Sequence, residues 1–219
     1  MTTRRRGLLA LGLLPLWPGA ARAGGQIEEP LADAVRSALA KAVANSAPPK
    51  PAFDTMDERL KFLRWLGAMS ERLKRYYKDE HLTRVEFLET LWYESKRAGL
   101  EPALVLGLVQ VESAFRKFAV SSVGARGLMQ VMPFWARLIG DGDASRLFHM
   151  QTNLRFGCVI LRHYLDRERG DMFMALGRYN GSRGRPEYPS AVFAARKRWE
   201  IDLMSDPKPD TKPAEKPRP

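Results

Sequence analysis

Residues 104–133 read LVLGLVQVESAFRKFAVSSVGARGLMQVMP, and no other stretch of the chain limits the fold as strongly. From Ala103 to Val109 no side chain is polar. A helix that is apolar nearly all round must be central and buried. The run then admits Gln110 and, at its end, the carboxylate of Glu112. Eight residues separate Glu112 from Ser121, and a turn over Gly124–Gly127 leads to Leu128, Met129 and Gln130. A charged side chain closing a buried helix, followed by a polar loop and a second helix start, has the form of a cleft wall.

The rest of the chain reads as helices around that centre. Leu31, Val35, Leu39 and Val43 fall at helical spacing within 27–46, and the prolines of 47–51 break the pattern as a linker. That segment lies outside the main domain or across it. A helix opening at Asp54 places Met56, Leu60, Leu63, Leu66, Met69 and Leu73 on one face. Lys61, Arg64, Glu71, Arg72 and Lys74 serve the solvated one. After a break at His81 and Leu82, Thr83 and Glu86 have capping-box spacing, and Phe87, Leu88, Leu91 and Trp92 follow on one side. Gly99 stands where a left-handed cap is needed. Pro102 restarts the helix that carries Glu112. Residues 117–122 read as a loop. Further helices are predicted over 127–139, 151–169, 171–179 and 188–203. No strand alternation and no fixed repeat appears, so the expected fold is an all-α domain over 54–203.

The two ends differ in kind. Residues 1–23 have the form of a signal peptide: Arg4–Arg6, an apolar run over 7–17 too short to span a bilayer, and a small-x-small site at Ala21–Ala23. Gly24 would begin the mature chain; an uncleaved anchor is the other reading. The arginines partly resemble a twin-arginine signal, with Gly7 in the usual aromatic place. No cysteine follows the apolar run, so neither a lipid anchor nor any stable membrane anchor is expected after cleavage. Residues 204–219 are rich in Pro and Lys and read as disordered. An exported, periplasmic protein of the bacterial envelope is expected. Losing the four arginines at 4–6 and 22 lowers the net charge from +11 to +7. That suits anionic surfaces. Nucleic acid is not expected, since no Lys/Arg stripe is interleaved with aromatics. The single cysteine, Cys158, allows no intramolecular disulfide; it reads as a buried small residue or as a reactive thiol.

The chemistry narrows by residue type. His81, His149 and His163 are scattered and form no metal-ligand spacing, so neither metal nor other cofactor is expected. Gly181–Gly184 is not a nucleophile elbow, and Gly124–Gly127 lacks the length and lysine of a phosphate loop. Carboxylate acid/base chemistry remains. An apolar helix would desolvate Glu112, and the helix C-terminus disfavours its anion. Both hold the group protonated, as a general acid requires; the alternative is a surface Glu at a helix end. Glycoside cleavage generally uses two carboxylates, and none lies close to Glu112 in sequence. Asp141 and Asp143 are the nearest downstream.

Three motifs carry a family resemblance: Glu112–Phe115, then Ser121–Pro133, then Tyr179–Gly181. With the stretch Asn153–Leu165 they resemble the soluble lytic transglycosylase catalytic domain, across about 85–195. This is a goose-type-lysozyme-like domain of the α+β lysozyme-like superfamily, here nearly all helical, that cleaves peptidoglycan glycan strands. The resemblance implies that Glu112 is the single acid/base and that the muramoyl C6 hydroxyl is the nucleophile. Cleavage would fall at the β-1,4 bond between N-acetylmuramic acid and N-acetylglucosamine and leave a 1,6-anhydro end. It implies that Ser121 and Gln130 hold sugar polar groups and that Met129 and Met132 form the cleft wall. Tyr179 would bring its hydroxyl to Glu112, Asn180 would fix that loop, and Tyr188 would line the cleft. Each has a plainer alternative: a loop cap for Ser121, core for the methionines and Tyr179, a helix cap for Asn180. Arg116 and Lys117 replace the Asn-Pro common in the family and add positive charge near the cleft. Two other readings stay open: a muramidase that hydrolyses with Asp141 or Asp143 as partner, and a non-catalytic wall-binding protein.

Overall fold

The computed structural model describes residues 26–44, 53–77 and 80–202. In order they form α1 (Asp33–Val43), α2 (Met56–Leu73), α3 (His81–Arg97), α4 (Pro102–Ser113), α5 (Pro133–Ile139), a 3-10 helix (Ala144–Phe148), α6 (Met150–Arg167), α7 (Met172–Asn180) and α8 (Glu187–Arg196). No strand occurs among these residues. Two isolated bridges, Val120 to Arg126 and Arg126 to Val131, pin the loop between α4 and α5. The all-helical expectation holds. The signal peptide at 1–23, the linker prolines and the tail at 204–219 lie outside the described residues.

The apolar run becomes α4, and only Gln110 and Val111 escape full burial. Helix α8 packs along it, and α3 contacts both α4 and α6. At Gly107 an added Cβ would sit 2.6 Å from the Arg196 nitrogen and 3.0 Å from the Val192 carbonyl. A side chain there would push α8 away, so glycine sets the backbone-to-backbone approach. Each large apolar side chain enclosed this way contributes roughly 1.5–3 kcal/mol.

Pro102 opens α4, where its missing N–H costs nothing. The end of α4 is less ordinary. Ala114 (φ 49°) and Phe115 (φ 63°) are both left-handed without being glycine. Such backbone persists only when its surroundings over-determine it. Here the Phe115 ring is buried against Tyr76, Phe87 and Trp199, and the Tyr77 hydroxyl donates to the Phe115 carbonyl at 2.8 Å.

Several local expectations are corrected. Helix α2 buries Phe62, Trp65, Met69 and Leu73, leaving Met56, Leu60 and Leu63 exposed. The rings decide this, because Phe62 and Trp65 stack on each other, while Trp92 meets Phe62 edge-on and lies tilted against Trp65. Helix α3 starts at His81, ahead of the expected box, and the Thr83 hydroxyl donates to Glu80 instead of capping. The helix expected over 127–139 begins only at Pro133, because 126–131 is drawn into the bridged loop. Helix α8 stops at Arg196.

Helix α1 lies on α5 and α6. Gln26 accepts from the Trp135 indole at 2.8 Å. At the other end Arg97 and Arg155 donate to the carbonyls of Ala42 and Ala44, at 2.8 and 3.2 Å. The same two guanidiniums bracket the fully buried Glu94, at 2.9 and 2.8 Å. A carboxylate with no exposure needs such pairing.

Candidate active site

Glu112 occupies the last turn of α4, 7% exposed. The Tyr188 hydroxyl, from the first turn of α8, donates to its Oε1. Its Oε2 is buried with no hydrogen-bond partner. Burial pushes the carboxyl up to about 8, against a smaller downward pull from the Tyr188 hydrogen bond. The group is therefore a neutral acid at pH 7, with one oxygen uncommitted. Tyr188 is itself held well above the ordinary phenol range, first by burial and then by Glu112. It stays a neutral donor.

The following segment is fixed from several sides. The Ser113 hydroxyl donates to the Val109 carbonyl at 3.1 Å and to the Leu128 carbonyl at 2.7 Å, tying the end of α4 to the GLMQ turn. Asn153, in α6, is the second anchor. Its Oδ1 accepts from the Met129 N–H at 2.7 Å, and its Nδ2 donates to the carbonyls of Arg126 and Leu147, at 2.9 and 2.7 Å. Sequence reasoning gave Asn153 no role, and its pairing, 24 residues from Met129, has no local signature.

The expected site residues divide. Tyr188, given the lesser role, is the tyrosine that meets Glu112. Tyr179 is fully buried, and its hydroxyl donates to the Met129 carbonyl at 2.8 Å, so the positioning bond expected of it is made by Tyr188. Met129 has no exposure; an added Cβ at Gly157 would meet its sulfur at 2.3 Å, so it fills the core under the loop instead of facing a cleft. Gln130 is 2% exposed and left-handed, and its amide donates to the carbonyls of Gly127 and Ala119, at 2.9 and 3.2 Å. That amide is occupied in closing the loop. Ser121 is half-buried; its hydroxyl oxygen accepts from the Ala125 N–H at 3.0 Å, which is the loop-capping geometry. Met132 is half-buried at the start of α5, and Asn180 is buried at the end of α7.

The candidate partner carboxylates are engaged elsewhere. The Asp143 N–H and then Arg146 hold Asp141 below its usual range; Ser145 does so for Asp143. Both line a cavity under α1, with Val43, Ile139 and Phe156. Among the described residues no group of three or more His, Cys, Asp or Glu could hold a metal ion. Cys158 is enclosed, and burial pushes its thiol up, away from reactivity.

Residues 90–201 match the family model described as the transglycosylase SLT domain. The chain belongs to that family. Within it, the SLT chain is 39% identical over 97 residues to a transglycosylase of Enterobacteria phage PRD1, covering 44% of this chain and 35% of that one. It is 56% identical over 75 residues to membrane-bound lytic murein transglycosylase C of Glaesserella parasuis, covering 31% and 21%. For the protein of that name from Actinobacillus pleuropneumoniae strain L20 the identity is 39% over 84 residues, covering 35% and 23%. This SLT chain thus spans about a fifth to a third of the length of these curated relatives. Among its described residues no helix is long and apolar enough to cross a membrane.

Proposed function

We propose that this SLT protein is a peptidoglycan lytic transglycosylase of the cell envelope, cleaving the β-1,4 bond between N-acetylmuramic acid and N-acetylglucosamine. The observation that carries the reading is Glu112: a carboxyl protonated up to about pH 8, with one uncommitted oxygen and a single donor on the other. Such a group can give a proton to a glycosidic oxygen at neutral pH. The C1–O bond then breaks, and the leaving sugar departs with its hydroxyl. The sugar's own N-acetyl carbonyl stabilises the positive C1. Glu112, now a carboxylate, takes the proton from the muramoyl C6 hydroxyl as that oxygen bonds to C1. A 1,6-anhydro end results, no water is consumed, and the acid is regenerated.

The hydrolytic reading with Asp141 or Asp143 places a second carboxylate at the bond, as glycoside hydrolysis generally does. Its two candidates are committed to the start of the 3-10 helix, and this favours the one-carboxylate route. Purified protein incubated with sacculi is expected to release soluble muropeptides, and Glu112→Gln to release them at least about 100-fold more slowly. Sacculus binding without release over long incubation would leave a wall-binding protein in its place.

A further inference from the structure

Helix α8 brings Tyr188 to Glu112 from its first turn, and that turn has little of its own to hold it. Pro186 precedes the helix, and no side chain caps it. The seam with α4 at Gly107 fixes α8 further along, at Val192 and Arg196. The connection from α7, residues 181–186, therefore sets where the first turn lies.

That connection is clamped from the end of α6. Glu168 directly follows this helix, and its side chain is only 8% exposed. It accepts from Arg183 through both oxygens, Nε to Oε1 at 2.8 Å and Nη2 to Oε2 at 2.9 Å. Arg178, in α7, donates to the same Oε1 and reaches on to Glu29 at 3.3 Å. A two-pronged guanidinium–carboxylate contact fixes direction as well as charge. Arg183, and then Arg178, hold the Glu168 carboxyl down to about 2, so it stays an anion at working pH. The backbone at Arg183 is seated as closely. A Cβ added at Gly177 would lie 2.9 Å from the Arg183 Cα, and the Ser182 N–H donates to the Gly177 carbonyl at 2.7 Å. The Arg185 N–H then donates to the Ser182 carbonyl at 2.9 Å, and the chain runs straight into the turn that carries Tyr188.

We propose that Glu168 is a positioning residue: by clamping Arg183 and Arg178 it sets the α7–α8 connection and so holds the Tyr188 hydroxyl on Glu112. The assignment rests on the proton-donor reading of Glu112 above. Glu168 acts only through Tyr188.

The test reads the Glu112 carboxyl itself, by carbon-13 NMR of glutamate-labelled protein titrated without substrate. The Tyr188 bond favours the Glu112 anion, so weakening that bond raises the pKa. Glu168→Gln removes an anion, and Arg183→Met removes a cation. Acting through the field alone, they would move Glu112 in opposite directions, down and up. Acting through Tyr188, both are expected to move it up, by about 0.5 to 1. Neither is expected to move it further in a Tyr188→Phe background. On sacculi, kcat should fall about three- to tenfold in each, with KM within about twofold of wild type. The Arg183 side chain is 47% exposed, so Arg183→Met reports even if Glu168→Gln does not fold. An unmoved Glu112, opposite shifts in the two variants, or a shift that persists without the Tyr188 hydroxyl would overturn the assignment. A raised pKa in a protein that releases no muropeptides would keep the positioning role and remove the glycan-cleaving reading instead.

Discussion

Glu112 is held where its anion is least stable, at the C-terminal end of a helix and sealed from water. A folded-state pKa of about 8 lies well above the ordinary glutamate value of 4.5, so its sign in stability is fixed. The native state binds the proton more tightly, and that contribution is full below about pH 4.5 and is lost as pH rises through about 8. Glu112→Gln is therefore expected to melt near the wild-type temperature at pH 4.5 and above it at pH 8, as scanning calorimetry would record. On the proposed mechanism the same group is expected to set a basic limb near pH 8 in kcat/KM. The two tyrosines separate there. Tyr188→Phe removes a bond that favours the anion, so the limb should move to higher pH while the rate falls. Tyr179→Phe strands the buried Met129 carbonyl and should cost about 1–3 kcal/mol of stability without moving the limb. A limb that shifts for Tyr179→Phe and not for Tyr188→Phe would reverse the assignment. The candidacy of Glu112 was legible in sequence because it rests on local facts: an apolar helix and its end. The choice between the tyrosines was not, because it depends on how α7 and α8 turn their faces.

At the scale of elements, α4 was legible and the loop after it was not. An apolar run seven residues long admits one solution, whereas the 114–131 path is set by Asn153 and by Phe115 in its aromatic cage. Met129 and Gln130 fall inside a motif whose residue types suit a cleft, yet the bridge between Arg126 and Val131 turns both inward. Asn153→Ala removes three hydrogen bonds at one stroke, leaving the Met129 N–H and two carbonyls unsatisfied. It is expected to lower stability by roughly 3 kcal/mol or more and to abolish release of muropeptides. A variant with wild-type melting would show that the loop is anchored by other means. Gly107→Ala tests the α4–α8 seam. Its Cβ meets backbone and not a flexible side chain, so a loss of about 1–3 kcal/mol is expected, together with reduced activity as Tyr188 is carried away from Glu112.

Over the whole molecule, the described residues outside the family match include α1 and α2, and α1 is tied to the matched region through Arg97, Arg155 and Glu94. Sequence could place α1 either outside the domain or across it, since its weak stripe names no partner and a buried ion pair leaves no periodic trace. Glu94→Gln leaves two guanidiniums without their anion and is expected to cost about 3–5 kcal/mol. Limited proteolysis near Ala44 should then quicken well before global unfolding. In the proposed reaction Glu112 works without a second carboxylate because the substrate supplies the nucleophile. The most direct test is the product formed from sacculi in heavy-oxygen water, read by mass spectrometry. Ends lighter than reducing ends by one water, with no heavy oxygen incorporated, are predicted. Reducing ends carrying the label would contradict the claim.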